Sequence, residues 1–503
     1  MRDLGVELRA KDGKLLLNAP AGVLTEPLQQ ELRRRKPELL ALLFEDDEEQ
    51  APLTYAQQRL WLIGQISPDS VAYNIPQAWI VEGAIDRKAL TRAISSLAER
   101  HRALRTRIEV RNGQPFQVVA SRVDVPLEFT DLSAEADPEI RDAKLSSLLL
   151  EDGRRPFVLG GAPLIRFHLF RLAEHRHLFS YNIHHIIADQ WSLNVLKHDL
   201  TALYAEALSG HPAGLPSISL EYSSLAERER SDIVNALYRR QLEYWRERLR
   251  GMPALLELPF CRSRSSEQTD AGATISVTLD EGLTAQLRQL AARSHTSLYL
   301  LMLSVFATLL YRYTGQTDIC LGSPISGRRR REEEILVGLF INMLPVRCTV
   351  EPAESFSMLL KRTGTAVLSD FEHSDIPFQK LVMELHPERS LTHSPLFQIS
   401  FSLNPGDGNA DGDQREIFLG TSKYDLTLQI SEQSKTLNAH FEYRADLFAR
   451  DDIKRFIRHF IRLAESVVKA PETEIAALSL LTADDLEVLN GWNATALSFD
   501  RND

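Results

Sequence analysis

Apolar and polar positions along the chain form two repeating patterns, one typical of strands and one typical of helices. Strand-like runs of about four to eight positions are QAWIVEG, TRIEV, PFQVV, LIRFHLFRL, HLFSYNIHHI, ATISVTL, ICLGSPIS, NMLPVRCTV, FQISFSL, DLTLQI and LNAHFEYR. Helical spacing is found in ALTRAISSLAERHRAL, in residues 192–208 and twice within residues 281–314. Because the two patterns alternate, we predict an α/β fold with mixed sheets.

Length and linker-like stretches divide this body. The 503 residues exceed the roughly 250–300 at which one hydrophobic core stops growing, so at least two packed units are expected. The polar stretch SGHPAGLPSIS at 209–219 predicts a division into one lobe at 53–220 and a second at 221–482. The acidic run EDDEEQAP at 45–52 separates a small unit, residues 1–48, from the first lobe.

The small unit has its own pattern. GVELRA and KLLLNA alternate around Asp12-Gly13, which predicts a β-hairpin with a two-residue turn. LTEPLQQELRRRKPELLALL then shows helical spacing, with Thr25 as a plausible N-cap and Pro27 in the first turn. We therefore predict a small unit with a hairpin followed by helices.

Charge and composition narrow the class of protein. A net charge of −11, with 44% hydrophobic and 25% charged residues, is ordinary for a soluble globular protein and argues against a nucleic-acid surface. The basic run Arg328 to Arg331 is followed at once by three glutamates, which predicts a solvated loop. The apolar stretch at 298–311 falls short of the ~20 residues of a membrane span and predicts a buried core helix.

The cysteines and the start of the chain concern its compartment. Cys261, Cys320 and Cys348 have neither disulfide-framework nor zinc-site spacing, and no apolar signal-peptide region opens the chain. These features predict a cytoplasmic protein with no metal site. The sequence also lacks a GxGxxG fingerprint, a P-loop and a GxSxG elbow, which removes the usual support for dinucleotide, nucleotide and serine-hydrolase chemistry.

The densest group of titratable residues is NIHHIIADQWS at 182–192. On a strand, neighbouring side chains point to opposite faces, so His184 and His185 are not expected to share a site. The same geometry disfavours metal binding, since chelating pairs usually lie two residues apart on a strand or four apart on a helix. Asp189 either orients His185 or pairs with an arginine elsewhere. The alternative, that both histidines are hydrogen-bonded core residues, stays open on periodicity alone.

A family resemblance bears on that choice. HHIIADQWS resembles the HHxxxDGxS signature of condensation domains from nonribosomal peptide synthetases, members of the chloramphenicol acetyltransferase-like superfamily. Further segments follow in the order of that family across roughly residues 53–480, namely LTYAQQRLWLIGQ, RHRALRTRI, VGLFINMLPVR, HSDIPFQ, THSPLFQ, SKYDLTL and EYRADLF. The resemblance implies two acetyltransferase-like lobes in a V shape, with the active site in a tunnel between them.

The resemblance also implies roles for single residues. His185 is expected to face the cleft and to contact the attacking nitrogen, as a general base or as a positioning group. Asp189 is expected to be structural, paired with a buried arginine, for which Arg347 is the best candidate. Gln190 stands where the family usually has glycine. The residues expected to support the active site are His184, Asp189, Gln190, Trp191, Ser192, Asn342 and Arg347.

The implied reaction is attack of a carrier-bound aminoacyl amine on the thioester carbonyl of an upstream carrier-bound donor. No cofactor of the chain itself is implied, because the phosphopantetheine arms belong to partner carrier domains and enter the tunnel. His184 disfavours a heterocyclisation domain, which would carry aspartate there, and Trp191 with the following helix resembles the subtype that joins an L-donor to an L-acceptor. Residues 483–503 resemble the start of a linker to an adenylation domain.

The first fifty residues resemble the docking domain that precedes some condensation domains. An exposed hairpin edge at Leu15, Leu16 and Leu17 is expected to pair with the C-terminal tail of an upstream synthetase subunit. The basic residues Arg33, Arg34, Arg35 and Lys36 favour an acidic tail.

Two other functions compete with the amide-forming enzyme. One is a non-catalytic, condensation-like module that only recruits partners, which Gln190 keeps open. The other is an acyltransferase that uses coenzyme A thioesters, which the docking-like start and the linker-like end disfavour.

Overall fold

A computed structural model describes residues 7–11, 14–18, 32, 35, 49–232, 236–264, 269–385, 393–404, 414–415 and 417–495. Near the N-terminus, strands β1 (Glu7–Lys11) and β2 (Lys14–Asn18) pair antiparallel, with Lys11 opposite Lys14. This register confirms the predicted hairpin. Its turn, Asp12-Gly13, and the predicted helix with Thr25 and Pro27 lie outside the described residues.

The first lobe contains two sheets and five helices. Its strands are β3 (Glu49–Pro52), β4 (Asn74–Glu82), β5 (Thr106–Arg111), β6 (Gln114–Val119), β7 (Leu127–Asp131), β8 (Ile165–Ala173) and β9 (Arg176–His184). Its helices are α1 (Tyr55–Ile66), α2 (Arg87–Arg100), α3 (Pro138–Gly153), α4 (Gln190–Ser209) and α5 (Ser223–Asp232), with 3₁₀ turns at Arg102–Arg105 and His185–Ile187. The four-stranded sheet has the order β4-β9-β8-β7, and β3-β6-β5 form a smaller sheet.

Local sequence explains the start of several of these helices. The hydroxyl of Thr54 and the side chain of Gln57 satisfy each other's backbone N–H groups in a capping box at the start of α1. Asp86 and Asp137 cap α2 and α3 with their carboxylates. Asp189 caps α4 in the same way, and it lies two residues after the 3₁₀ turn His185–Ile187.

The second lobe is built on one six-stranded mixed sheet with the order β10-β15-β14-β13-β11-β12. Its strands are β10 (Gly272–Leu279), β11 (Asp318–Ile325), β12 (Asn342–Thr349), β13 (Ile399–Asn404), β14 (Leu426–Glu432) and β15 (Leu437–Arg444). Its helices are α6 (Ala236–Arg248), α7 (Glu281–Arg293), α8 (Leu298–Thr314), α9 (Phe356–Glu372), α10 (Phe378–Leu385), α11 (Arg450–Lys469) and α12 (Ala483–Asn493), with 3₁₀ turns at Arg331–Glu333 and Ile475–Ala477.

Helix α8 forms the centre of the second core. Every residue from Leu300 to Leu310 is buried, and a fully buried leucine contributes about 1.5–3 kcal/mol by the hydrophobic effect. The prediction of a buried core helix at 298–311 is confirmed. No single helix in the described ranges has the length and hydropathy to cross a membrane, and the pair α7 and α8 does so only with a 107° bend between them.

Two segments of the second lobe reach the first. Residues 336–340 belong to the hydrophobic core of the first lobe, where Phe340 packs edge-on against Tyr222. Farther along, the backbone N–H of Arg415 donates to the carbonyl of Ala78, and the side chain of Arg154 donates to the carbonyl of Leu419 at 2.9 Å. These contacts join the two lobes at two places along the chain.

The division at residue 220 stays a prediction. Tyr222 and Leu225 pack with the core of the first lobe, whereas Tyr238 packs with the core of the second. Helix α5 contacts strand β3 and so extends the first lobe beyond the predicted boundary.

Candidate active site

A cavity of about 570 Å³ lies between the lobes. This volume is within the range of small-molecule sites in proteins. Its walls include Tyr73, His185 and Gln190 from the first lobe and Asn342, Lys423 and Tyr424 from the second. His184 is not among the lining residues, so only one of the two adjacent histidines opens into the cavity.

His185 is held in a defined tautomer. It is the first residue of the 3₁₀ turn after β9, and its Nδ1 lies 2.7 Å from the carbonyl oxygen of Ala188. Since a carbonyl oxygen only accepts, Nδ1 carries the hydrogen and Nε2 keeps its lone pair. The backbone N–H of His185 donates to the carbonyl of Tyr73 at 2.8 Å. Both bonds fix the ring, and its free nitrogen is a hydrogen-bond acceptor.

The surroundings of His185 keep it neutral. Burial, followed by the positive charge of Lys423, lowers the pKa of His185 to about 4. The carboxylate of Asp189 opposes this shift without cancelling it. At neutral pH the imidazole is therefore uncharged, and its Nε2 can accept a hydrogen bond.

His184 serves the scaffold. Its side chain is 8% exposed and lies edge-on to Phe157, with ring centroids 6.0 Å apart. Its Nδ1 accepts a hydrogen bond from the backbone N–H of Ile186 at 3.1 Å, which closes the turn that carries His185. Burial, with a smaller contribution from the neighbouring His185, lowers the pKa of His184 to about 3. The side chains of the two histidines thus point to different surroundings, as predicted. The reason differs from the prediction, because His184 ends strand β9 and His185 begins the 3₁₀ turn, so the two residues are not in one strand.

Asp189 has a fully occupied carboxylate. Its Oδ1 accepts from the backbone N–H and the hydroxyl of Ser192, at 2.9 and 2.7 Å. Its Oδ2 accepts from the guanidinium of Arg328 at 2.8 Å and from the backbone N–H of Phe340 at 3.0 Å. No hydrogen bond joins Asp189 to the ring of His185, whose Nδ1 is taken by a carbonyl. Asp189 therefore fastens the start of α4 to the segment that crosses from the second lobe.

The predicted pairing of Asp189 with Arg347 is wrong. The guanidinium of Arg347 binds Asp318 across the β11/β12 pair, at 2.8 Å from Nε, and also donates to the carbonyls of Arg248 and Arg250. The position of Arg347 along β12 explains the difference. Residues 336–340, which contact Asp189 and the first lobe, come just before Asn342 at the start of β12, whereas Arg347 lies near the other end of that strand.

The solvated-loop prediction for the basic run is wrong for its first residue. The side chain of Arg328 is only 3% exposed and stacks over the ring of Phe340, 4.0 Å from its centroid. Arg331, three positions on, is exposed as predicted. A run of four arginines followed by three glutamates gives no local signal that one arginine turns inward, so sequence reasoning missed Arg328.

The other predicted supporting residues have varied positions. Gln190 is exposed within the cavity wall at the first residue of α4. The indole N–H of Trp191 donates to the carbonyl of Glu334 at 2.8 Å, a contact between the lobes. The amide of Asn342 donates to the carbonyls of Ser374 and Ile376 and accepts from the N–H of Phe378. These bonds hold the cavity wall where β12 begins.

The predicted docking residues are described only in part. Leu15, Leu16 and Leu17 form the middle of β2, and Arg35 is exposed, whereas Arg33, Arg34 and Lys36 lie outside the described residues. Their role stays a prediction. Over the ranges that the structure describes, no group of three or more His, Cys, Asp or Glu side chains has the geometry to hold a metal ion.

Comparisons with known proteins agree with this geometry. The family model of the Condensation domain matches residues 47–489, and that of the TubC N-terminal docking domain matches residues 1–45. The chain is 38% identical over 460 residues to one of the proteins that make up the linear gramicidin synthase of Brevibacillus parabrevis, covering 90% of this chain and 9% of that protein. The chain thus spans a small part of the length of this curated relative.

Solved structures show the same fold. The X-domain in complex with OxyB from teicoplanin biosynthesis is 26% identical, with a TM-score of 0.79 over 87% of this chain and 97% of that one. The first condensation domain of the CDA synthetase is 22% identical, with a TM-score of 0.69 over 86% of this chain and 99% of that one. The predicted acetyltransferase-like α/β fold is confirmed.

Proposed function

The chain belongs to the condensation-domain family of nonribosomal peptide synthetases, preceded by a TubC-type docking domain, and on that premise we propose that it forms an amide bond between two carrier-bound substrates. The α-amine of a downstream aminoacyl thioester attacks the carbonyl carbon of an upstream acyl or peptidyl thioester. The phosphopantetheine arms of both carriers enter the cavity between the lobes. The chain itself supplies no cofactor to this reaction.

One observation carries the proposal: the Nε2 lone pair of a neutral, rigidly held His185 belongs to a side chain that lines the cavity between the lobes. A free α-amine has a pKa of about 7.7–8.0, so a substantial fraction is already nucleophilic near neutral pH. The main requirements are to align two tethered reactants and to receive the proton that leaves the nitrogen. His185 accepts a hydrogen bond from the amine and takes up that proton as the amide forms.

The test mixes donor-loaded and acceptor-loaded carrier domains with the protein and follows the dipeptidyl carrier by mass spectrometry. We expect His185→Gln to lower the rate by about 100-fold or more, the usual contribution of a proton-transfer group. His175→Gln is the matched control, because His175 is exposed on the same lobe. A His185→Gln protein with the activity of wild type would contradict the proposal.

A partner-binding module is the second candidate. The observation that favours it is the structural similarity to an X-domain whose structure was solved as a complex with OxyB. Stable binding of a partner protein, with no product from any carrier pair, would support this function. Turnover of coenzyme A thioesters without turnover of carriers would support neither of the two.

We further propose that the docking unit receives the C-terminal tail of an upstream synthetase protein as an added strand at the edge of the β1/β2 hairpin, and that residues 483–503 are the start of a linker to an adenylation domain. The L-donor, L-acceptor specificity is part of the same proposal, based on Trp191 and the helix that follows it. The match of residues 1–45 to the docking-domain family supports the first of these points.

A further inference from the structure

The side of the cavity that contains His185 carries two cations that form no close ion pair. Arg59, on α1, and Lys423, just before β14, both line the cavity that contains His185. Within the described part of the chain, neither side chain forms an ion pair within 4.0 Å. The carboxylate of Glu442 accepts from the backbone N–H of Lys423, at 3.4 Å. Burial lowers the pKa of Lys423, and the negative charge of Glu442 opposes this shift and favours the ammonium form.

The cations are close to the reacting centre. The ammonium of Lys423 lies 5.2 Å from the centroid of the Tyr73 ring, and that ring lies 6.4 Å from the ring of His185. Arg59 interacts with the phenol of Tyr424, next to Lys423 in the chain, and its guanidinium lies over Phe378 at 5.4 Å. Tyr73 is thus the shared neighbour that places Lys423 on the same side of the cavity as the catalytic imidazole.

Two other cations that line the cavity have carboxylate partners. Arg228 pairs with Glu333 at 2.7 Å, and Arg329 pairs with Asp375 at 2.9 Å. Arg59 and Lys423 therefore differ from these two arginines in having no carboxylate within ion-pair distance in the described part of the chain. A charge at such a partly buried position acts more strongly on any negative charge that develops nearby than it would in bulk water, because the effective dielectric constant is lower.

We propose that Lys423, supported by Arg59, is a catalytic residue that stabilises the negative charge on the carbonyl oxygen of the tetrahedral intermediate. The inference rests on the proposed amide-forming function. As the amine nitrogen bonds to the thioester carbon, the π pair of the carbonyl moves onto oxygen, and this oxyanion lies in the field of the ammonium. When the intermediate collapses, the C–S bond breaks, and the thiol leaves with the proton that His185 removed from nitrogen.

The same cation also acts on His185. The charged or titratable groups that face this imidazole are Tyr73 just before β4, His184 from β9, Asp189 at the start of α4, and Lys423 from the second lobe. Burial raises the pKa of Tyr73, which keeps that phenol uncharged. Lys423 is the cation among them, and its positive charge disfavours the imidazolium form. Removing it should therefore raise the pKa of His185, which a purely structural lysine would not do.

The experiment compares Lys423→Met with Lys423→Arg, which keeps the charge, and with the exposed Lys435→Met as the matched control. We expect Lys423→Met to lower kcat by about 100-fold, the typical loss for one oxyanion-stabilising group, with a smaller change in KM. Lys423→Arg should recover most of the loss. In histidine-labelled protein, the His185 resonance, assigned with His185→Gln, should titrate on the order of one pH unit higher in Lys423→Met.

Three results would overturn the inference: a kcat of Lys423→Met close to wild type, an unmoved His185 titration, or equal loss in the Arg and Met variants at unchanged melting temperature. If Lys423→Met melts lower than wild type, Lys423→Gln replaces it in both measurements. A wild-type protein that forms no product overturns the proposed function and this inference with it. An active wild type with an equally active Lys423→Met protein overturns the inference alone.

Discussion

At the scale of single residues, the active-site turn separates three tasks that the short motif HHIIAD places side by side. The Nε2 atom of His185 is available in the cavity, and His184 closes the turn by accepting a hydrogen bond from the backbone N–H of Ile186. Asp189 joins the lobes through its ion pair with Arg328. The motif predicted which residues matter. It did not predict that the imidazole of His185 would donate to the backbone carbonyl of Ala188 and not to the carboxylate of Asp189.

The buried ion pair gives the first prediction. Arg328→Met should lower the free energy of unfolding by about 3–5 kcal/mol, because it leaves the carboxylate of Asp189 charged, buried and without its cation. Chemical denaturation measures the effect. The exposed Arg331→Met should change the same quantity by less than about 0.5 kcal/mol. Equal stability of the two variants would show that Asp189 does not depend on Arg328.

The pKa of His184 gives a second prediction, on stability and pH. In the unfolded chain the pKa of His184 is near its ordinary value of 6.5, whereas in the folded chain burial lowers this pKa to about 3. This contribution to stability is complete above pH 6.5 and is lost as the pH falls towards 3. At pH 5 the loss is on the order of 2 kcal/mol.

Unfolding of wild type and His184→Gln at pH 7 and pH 5 measures this contribution. Between pH 7 and pH 5, the free energy of unfolding should fall by about 2 kcal/mol less in His184→Gln than in wild type. At pH 7 the variant should be less stable than wild type. The same pH dependence in both proteins would mean that His184 is protonated in the folded state.

At the scale of elements, the segment that crosses from β11 to β12 completes the first lobe. The hydroxyl of Tyr222 donates to the carbonyl of Leu339 at 2.7 Å, and Phe340 donates its N–H to Asp189. A Cβ atom added at Gly338 would overlap the ring of Tyr222, which is buried and held by its hydrogen bond. Glycine is thus required here for close packing.

Gly338→Ala should therefore lower the free energy of unfolding by about 1–3 kcal/mol, the usual cost of overpacking. It should also lower the condensation rate, because the crossing segment supplies a wall of the cavity. Gly491→Ala is the control, since nothing lies within 4 Å of the added methyl group and alanine favours the helix. A Gly338→Ala protein as stable as wild type would mean that Tyr222 moves freely.

At the scale of the whole molecule, the docking unit and the two lobes are expected to act independently. Deleting residues 1–48 should abolish binding of the upstream synthetase protein and leave condensation of directly supplied substrates unchanged. The two readouts are co-purification with that upstream protein and formation of dipeptidyl carrier. Loss of both activities to the same extent would contradict the two-unit arrangement.

Much of the fold was predictable from the sequence because it depends on local pattern. The strand-like run HLFSYNIHHI predicted β9, and the apolar run at 298–311 is long enough for a helix but too short for a membrane span. The hairpin around Asp12-Gly13 follows from turn chemistry. Each of these signals is contained in a short stretch of chain, where backbone periodicity alone decides which side chains share a face.

What only the tertiary structure decided concerns partners that are distant in sequence. Arg328 reaches Asp189 across 139 positions, and Lys423 approaches His185 because β14 and the turn after β9 come to the same cavity from different lobes. An arginine in a basic run and a lysine before a strand have no local pattern that distinguishes them from solvated residues. Their burial and charge are set by which surfaces meet, and that is a property of the folded chain.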